Sequence, residues 1–305
     1  MSQAHPASTR IGPSTLRWGE RTYVMGIINV TPDSFSGDGV LAGPDEDAGT
    51  GTGTITADPI EIAVDAGRRM VAEGADMLDI GGESTRPGHH RVDVDEERGR
   101  VVPIIAAVRR ALPDVPISID TTKPAVAEAA LDAGANMIND VWGVGADDAL
   151  PRLAASRRVP LVVMHNRAEP RYGQFLAEVI ADLRAALDQA IGLGVREDDL
   201  IVDPGFGFGK TPEQNLELVR ELGQLRVLGR PILLGTSRKS TLGRVLGLGP
   251  DQRLEATLAT TAFAIACGVD IVRVHDVGPN VRAARVGDAI MRGHWRSESA
   301  EGGSS

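Results

Sequence analysis

The stretch 73–80, EGADMLDI, decides the fold, because it joins the end of a helical pattern to an apolar strand through Gly74. The same joint recurs as DAGANMIND at 132–140 and as CGVDIVRV at 267–274. Glycine commonly ends a helix in the left-handed conformation. A joint that returns along the chain indicates repeated βα units. The sequence therefore predicts helices that alternate with buried parallel strands.

Outward from these joints, short apolar runs alternate with amphipathic patterns of 3.6-residue period. The candidate strands are Tyr23–Ile28, Met77–Ile80, Pro116–Ile119, Met137–Asn139, Pro160–Met164, Leu200–Val202, Pro231–Leu234 and Ile271–Val274. The candidate helices are Pro59–Glu73, Asp95–Arg110, Pro124–Ala133, Asp148–Arg157, Gln174–Leu193, Pro212–Leu222, Gln252–Cys267 and Pro279–Met291. These βα units predict a single-domain (β/α)8 TIM barrel. A doubly wound sheet is the alternative, but Asn29–Pro32 stands where its glycine fingerprint would follow the first strand.

Three segments have a composition typical of poor order. We predict a disordered N-terminal tail over 1–14, the barrel over 15–297 and a disordered C-terminal tail over 298–305. Within the barrel, Gly43–Asp58 is rich in Gly, Thr and Asp and is predicted to be a low-complexity surface loop.

Composition excludes several classes of protein. The net charge of -10 and the lack of a long basic run argue against a nucleic-acid partner. A single cysteine, Cys267, excludes a disulfide framework. No apolar run approaches the roughly 18 residues of a membrane span, and the polar N-terminus has no secretory pattern. We therefore expect no membrane partner and a cytoplasmic location.

Polar side chains end the predicted strands, where barrel enzymes place their chemistry. Asp120, Asn139 and Asp203 form a carboxylate and amide set that could accept hydrogen bonds from a planar N–H edge. A pterin has such an edge, as do a guanine and a guanidinium. Taken singly, an Asp at a strand end can equally be a helix cap or a turn former.

A basic set accompanies them at the same predicted rim. Arg86, Lys239, Arg273 and His275, with the backbone N–H groups of Gly235–Ser237, predict a phosphate or diphosphate site.

Three catalytic motifs can be set aside. Gly205–Thr211 ends like a Walker A loop, but Pro204 replaces its required glycine. His165, Asp203 and Ser237 could be drawn as a hydrolase triad, yet no nucleophile elbow surrounds the serine. Zinc-ligand spacing is also absent from the sequence.

Seven motifs in order resemble those of dihydropteroate synthases, over about 24–291. They are Met25–Ser36 (MGIINVTPDSFS), Asp79–Gly88 (DIGGESTRPG), Ser118–Thr121 (SIDT), Ile138–Asp140 (IND), Asp203–Lys210 (DPGFGFGK), Thr236–Lys239 (TSRK) and Val272–Asp276 (VRVHD). The resemblance implies condensation of (7,8-dihydropterin-6-yl)methyl diphosphate with 4-aminobenzoate, in an SN1-like reaction with Mg2+.

The resemblance also implies a role for individual residues. Asn29 would ligate Mg2+, and Thr85, Arg273 and His275 would bind the diphosphate. The pterin would be held by Asp120, Asn139, Asp203 and Lys239, and the 4-aminobenzoate pocket shaped by Phe35, Pro87, Phe208 and Ser237. Lys239, Asp38 and Arg86 would be the catalytic residues.

One residue departs from the family pattern. Asp38 stands one position later than the family aspartate that helps order the first loop and stabilise the cation. A non-catalytic pterin-binding paralogue is therefore one alternative, and a pterin-dependent methyltransferase is another. Family members form homodimers, and the Ala-rich helices Gln252–Cys267 and Pro279–Met291 could supply the interface.

Overall fold

Eight parallel strands form a ring at the centre of the computed structural model, which describes residues 6–30, 58–83, 92–142 and 148–293. The strands of the ring are β3 Tyr23–Asn29, β4 Met77–Gly81, β5 Ile117–Asp120, β6 Met137–Asp140, β7 Leu161–Met164, β8 Leu200–Asp203, β9 Leu233–Leu234 and β10 Ile271–Val274. Their order is β8-β7-β6-β5-β4-β3-β10-β9. A parallel bridge between Val202 and Ile232 joins its two ends. The predicted (β/α)8 barrel is confirmed.

Helices surround the ring and connect its strands. They are α1 Pro59–Ala72, α2 Val94–Ala111, α3 Pro124–Asp132, α4 Ala149–Arg157, α5 Phe175–Gly192, α6 Pro212–Arg220, α7 Ser240–Leu246, α8 Leu254–Ala266 and α9 Val277–Arg292. The glycines of the repeated joint, Gly74, Gly134 and Gly268, all have positive φ. Each lets the chain leave its helix sharply and enter the next strand.

The N-terminal end of the barrel is closed by a hairpin of β1 Ser8–Ile11 and β2 Ser14–Arg17. Ile11, Leu16 and Trp18 are buried in one cluster with residues near the beginnings of the barrel strands. The Trp18 indole N–H donates to Thr9 Oγ1 at 3.0 Å, and that hydroxyl donates to the Asp198 carbonyl at 2.6 Å. The predicted disorder over 1–14 is therefore wrong for residues 8–14, because apolar side chains in two short strands cover the barrel end.

A short helix, α7, follows the seventh barrel strand and was not predicted. Residues 1–5, most of the 43–58 insert and the tail 298–305 lie outside the described residues. Within the part that is described, no helix is both long and apolar enough to cross a membrane.

Candidate functional site

The carboxyl ends of the barrel strands bring the predicted polar side chains to one level. Gly81 of β4 pairs with Asp120 of β5, and Asp120 pairs with Asn139 of β6. Asp203 ends β8 beside Met164. Because these strands are parallel and in register, their polar ends line the same rim.

Arg273 ties two of the carboxylates together across the barrel. Its Nε donates to Asp79 Oδ2 at 2.5 Å and its Nη2 donates to Asp120 Oδ2 at 2.6 Å. Asn139 Nδ2 donates to the same Asp79 oxygen at 3.1 Å. Arg273, Asp79, Asp120 and Asn139 thus form one buried hydrogen-bonded cluster.

The pKa values of Asp120 and Arg273 in this cluster are shifted. Burial raises the pKa of Asp120 to about 7, and the Arg273 guanidinium opposes that rise. Burial alone would lower the pKa of Arg273, but Asp79 and Asp120 outweigh it and raise the pKa. The guanidinium therefore stays charged, whereas Asp120 can gain or lose its proton near neutral pH.

Three buried oxygens, two in the cluster and one on Ser118, which pairs with Asp79 in the sheet, have no hydrogen-bond partner among the described residues. They are Asp79 Oδ1, Ser118 Oγ and Asp120 Oδ1. Buried polar atoms are normally satisfied by protein, water or ligand, since an unpaired one costs free energy. The rim is therefore suited to a ligand that donates several N–H bonds.

Lys239 lies on the opposite side of the rim, before α7. Its ammonium donates to the Phe206 carbonyl and lies 4.5 Å from the centre of the Phe208 ring. Burial lowers its pKa to about 8, with the Asp203 carboxylate opposing the fall. Burial in turn raises the pKa of Asp203, whose Oδ1 accepts from Gly205 N at 2.7 Å.

Ser237 and His275 are neighbours at the ends of β9 and β10. Ser237 Oγ accepts from the His275 backbone N–H at 3.1 Å and lies 3.0 Å from His275 Nδ1. Arg238, between Ser237 and Lys239, has a φ of 58° and binds Asp276 through both Nε and Nη2. This ion pair directs the Arg238 side chain to Asp276 and fixes the turn.

Asn29 ends β3 in register with Gly81, whose neighbour is Asp120. The remaining predicted residues of the first two loops, Phe35, Asp38, Thr85, Arg86 and Pro87, lie outside the described residues. The residues flanking 84–91 are tied together, because Glu83 Oε1 accepts from Val92 N at 3.0 Å. Lys123 binds both Glu83 and Glu97 beneath them.

Comparison with known proteins identifies the family of the chain. The model of the pterin binding enzyme family matches residues 25–275. A dihydropteroate synthase of Clostridium beijerinckii is 46% identical over 286 residues, which cover 93% of this chain and 99% of that protein. The chain belongs to the dihydropteroate synthase family.

Two solved dihydropteroate synthase structures share its architecture. The Clostridium difficile enzyme with pteroic acid has a TM-score of 0.82 and 46% identity, covering 90% of this chain and 98% of that one. The Xanthomonas albilineans enzyme with 4-aminobenzoic acid has a TM-score of 0.84 and 40% identity, covering 93% and 98%.

Among the described residues, the barrel brings six of the predicted site residues into two groups. Arg273 binds Asp120 directly and is linked to Asn139 through Asp79, and Asp203, Lys239 and Phe208 form a second group. Their roles toward substrate stay predictions.

Sequence reasoning missed Asp79, which is fully buried within β4. A charged residue inside the apolar run Met77–Ile80 was the signal for it. It also assigned no role to Lys210, which lies 2.9 Å from His165 Nδ1 and donates to the Gly205 and Phe208 carbonyls.

Proposed function

We propose that this synthase joins (7,8-dihydropterin-6-yl)methyl diphosphate to 4-aminobenzoate, giving 7,8-dihydropteroate and diphosphate, by an SN1-like path assisted by Mg2+. One observation carries the proposal. Unpaired buried acceptors at Asp79, Ser118 and Asp120 lie in and beside the cluster that Arg273 binds, and Lys239 provides a second buried cation at the rim. A ligand with an N–H edge and an anionic group matches both halves. The relatives that hold pteroic acid and 4-aminobenzoic acid support this substrate pair.

The carboxylates select the pterin. Its 2-amino group and N3–H donate to carboxylate oxygens, for which Asp120 Oδ1 and the Asp203 carboxylate are available in the site. Asn139 contributes an amide oxygen while its N–H is held by Asp79. A charged acceptor strengthens each hydrogen bond relative to a neutral one.

The diphosphate is bound by Arg273, His275 and, in the loop outside the described residues, Thr85, with Arg86 closing over it. The described residues contain no cluster of three or more His, Cys, Asp or Glu able to hold a metal. Asn29 instead offers a single amide oxygen at the end of β3. This donor set fits Mg2+, which binds through few protein ligands together with substrate phosphates and water. When bound, the ion neutralises charge on the leaving diphosphate.

The protein then stabilises charge rather than supplying a strong base. The C–O bond to diphosphate breaks with its electron pair leaving on oxygen, and a cationic pterin methylene forms. The neutral arylamine nitrogen attacks that carbon and afterwards loses one proton. Arg273 stabilises the departing anion, while Asp203 and Asp120 stabilise the cationic pterin. The p-aminobenzoate pocket is shaped by Phe208 and Ser237 with Phe35 and Pro87, and Asp38 assists from the first loop.

A second copy of the chain is the proposed protein partner. Val286, Ile290 and Met291 of α9 and Phe263 of α8 are exposed apolar side chains, with Ile290 exposed at 75%. Val286, Ile290 and Met291 line one apolar groove with Leu258 and Ala262 of α8, and exposed apolar surface of this kind marks interaction sites. A homodimer through α8 and α9 covers it. A cytoplasmic location is consistent with such an enzyme.

A diphosphate-release assay tests the reaction. Purified protein with both substrates and Mg2+ is expected to release diphosphate and form dihydropteroate in equal amounts. A methyltransferase or a non-catalytic paralogue would form neither product, which would contradict the proposal. Omitting 4-aminobenzoate provides the control for spontaneous decay of the pterin diphosphate.

A further inference from the structure

Lys210 directly follows the loop Gly205–Gly209, and its ammonium contacts the backbone of that loop. Lys210 Nζ donates to the carbonyls of Gly205 and Phe208, each at 3.0 Å, and lies 2.9 Å from His165 Nδ1. The His165 carbonyl is 3.4 Å away. One ammonium therefore gathers the backbone of the loop and the end of β7 around itself.

The loop lies flat against the chain that follows β7. Gly205 and Gly209 have positive φ, at 70° and 54°. A Cβ on Gly205 would meet the His165 carbonyl at 1.8 Å, and one on Gly209 would meet the Arg167 carbonyl at 2.2 Å. Only glycine permits this approach. The approach turns loop carbonyls inward, and Lys210 supplies the positive charge that they face.

The other side of the same loop forms the seat of Lys239. Phe206 provides the carbonyl that accepts from Lys239, and Phe208 provides the ring beside its ammonium. A Cβ on Gly207 would lie 3.0 Å from Lys239 Cδ. The loop also donates Gly205 N–H to Asp203. A shift of the loop must therefore move Lys239 or alter Asp203.

We propose that Lys210 is a positioning residue of the synthase, whose ammonium ties the Gly205–Gly209 loop to His165 and thereby places Lys239 and Asp203 for the pterin. This role rests on the proposed function of those two residues. Lys210 is also the lysine of the segment that resembles a phosphate-binding motif. Here it binds backbone carbonyls rather than phosphate.

Three acceptors surround Lys210 Nζ, and only the charged form has an N–H for each of them. His165 is fully buried, and burial together with Lys210 lowers its pKa to about 4, so the ring is neutral. Its Nδ1 then accepts from Lys210, and its Nε2 donates to Asp182 Oδ2 at 3.1 Å. Arg167 donates to the same Asp182 oxygen at 2.9 Å. In this tautomer Nδ1 carries no hydrogen, so the ring cannot donate to the lone pair of a neutral Lys210.

Lys210 also titrates in the working pH range. Burial lowers its pKa to about 7; Asp203 and Asp182 oppose the fall, while Lys239 and Arg167 add to it. When Lys210 loses its proton, the amine has only two N–H groups. Either its lone pair then faces the lone pair of His165 Nδ1, or one hydrogen bond to a loop carbonyl is lost. Lys210 also lowers the pKa of Asp203. Its charge therefore affects the acid limb of the pH dependence of kcat/KM as well.

Two variants test the role against mere stabilisation. Lys210→Met removes the charge and the donors at similar length, and Lys210→Arg keeps a charge that does not titrate. Arg171→Met is the matched control, since that side chain is 86% exposed and its neighbour Tyr172 donates to the Gly209 carbonyl of the same loop. Melting temperature, kcat and KM for both substrates, and the pH dependence of kcat/KM are measured. Pteroic acid binding is measured by calorimetry, so that Lys210 can be assessed separately from turnover.

For Lys210→Met we expect kcat/KM for the pterin substrate to fall about 10- to 100-fold, as for a displaced positioning group, with weaker pteroic acid binding and an acid limb at higher pH. For Lys210→Arg the ionisation of residue 210 is removed and the alkaline limb moves toward that of Lys239, whereas the ionisation of Asp120 remains. Unchanged pteroic acid affinity in folded Lys210→Met, or a wild-type alkaline limb in Lys210→Arg, would overturn the proposal. If Lys210→Met does not fold, the pH profile of Lys210→Arg decides. Tight pteroic acid binding by a wild type that releases no diphosphate would reject the proposed reaction but not this role.

Discussion

Asp120→Asn is expected to stabilise the protein at alkaline pH while it weakens pterin binding. The carboxyl is 8% exposed, and burial outweighs the attraction of Arg273. An amide has the same shape, can still accept from Arg273 Nη2 and carries no charge to desolvate. The substitution therefore imitates the protonated carboxyl at every pH.

The magnitude follows from the shift of the pKa from 3.8 to about 7. Such a shift corresponds to on the order of 4 kcal/mol of folding free energy. In the unfolded chain Asp120 loses its proton near pH 4, whereas in the folded protein it does so near pH 7. The folded wild type therefore loses stability as pH rises through this window, and the full cost is present above it. The advantage of Asp120→Asn should be largest at pH 8 and fall to less than half at pH 5.

Urea unfolding at pH 8 and pH 5 measures this difference. Asp188→Asn, at an exposed position on α5, is the control for removing a carboxylate. Pteroic acid calorimetry on the same samples should show weaker binding, since a charged hydrogen-bond partner contributes about 1.5–3 kcal/mol. A variant less stable than the wild type at pH 8, or an equal gain at both pH values, would refute the reasoning from burial.

Three further predictions address the pterin, the dimer and the order of binding. Asp203→Asn should weaken pteroic acid binding by about 1.5–3 kcal/mol without changing the circular dichroism, and an unchanged dissociation constant would remove Asp203 from the site. Val286→Glu should convert the dimer to monomers in sedimentation, whereas Val227→Glu, at nearly equal exposure of 62% against 61%, should not; monomeric wild type would contradict the dimer. 4-Aminobenzoate should bind measurably tighter with diphosphate and Mg2+ present than without them, since we expect a bound anion to pair with Arg86 and so to complete the pocket. Equal affinity in both titrations would indicate a preformed pocket instead.

The barrel could be predicted because its signals are local and repeated. Each joint of the type Gly74-Ala75-Asp76 marks a helix end and a strand start within a few residues. Strand ends then place Asp120 and Asn139 on one rim by symmetry alone. The hairpin at the barrel floor was missed, because its short strands are recognisable only once Ile11 and Trp18 are seen against the barrel core.

Which side chains pair with one another within the site could not be predicted from the sequence. Arg273 contacts Asp79 and Asp120, which are 194 and 153 residues away in sequence. Such pairings depend on how the ring closes, and no local pattern encodes them. The contacts of Lys210 could not be predicted for the same reason. They form only where the glycines of the Gly205–Gly209 loop pack against the chain that follows β7.

The most direct test of the account is a crystal structure of the protein with pterin diphosphate and Mg2+. We expect the 2-amino and N3 edge within hydrogen-bond distance of Asp203 and Asp120, the diphosphate against Arg273 and His275, and Mg2+ on Asn29. A pterin bound away from this rim, or a diphosphate held without Arg273, would contradict the central claim.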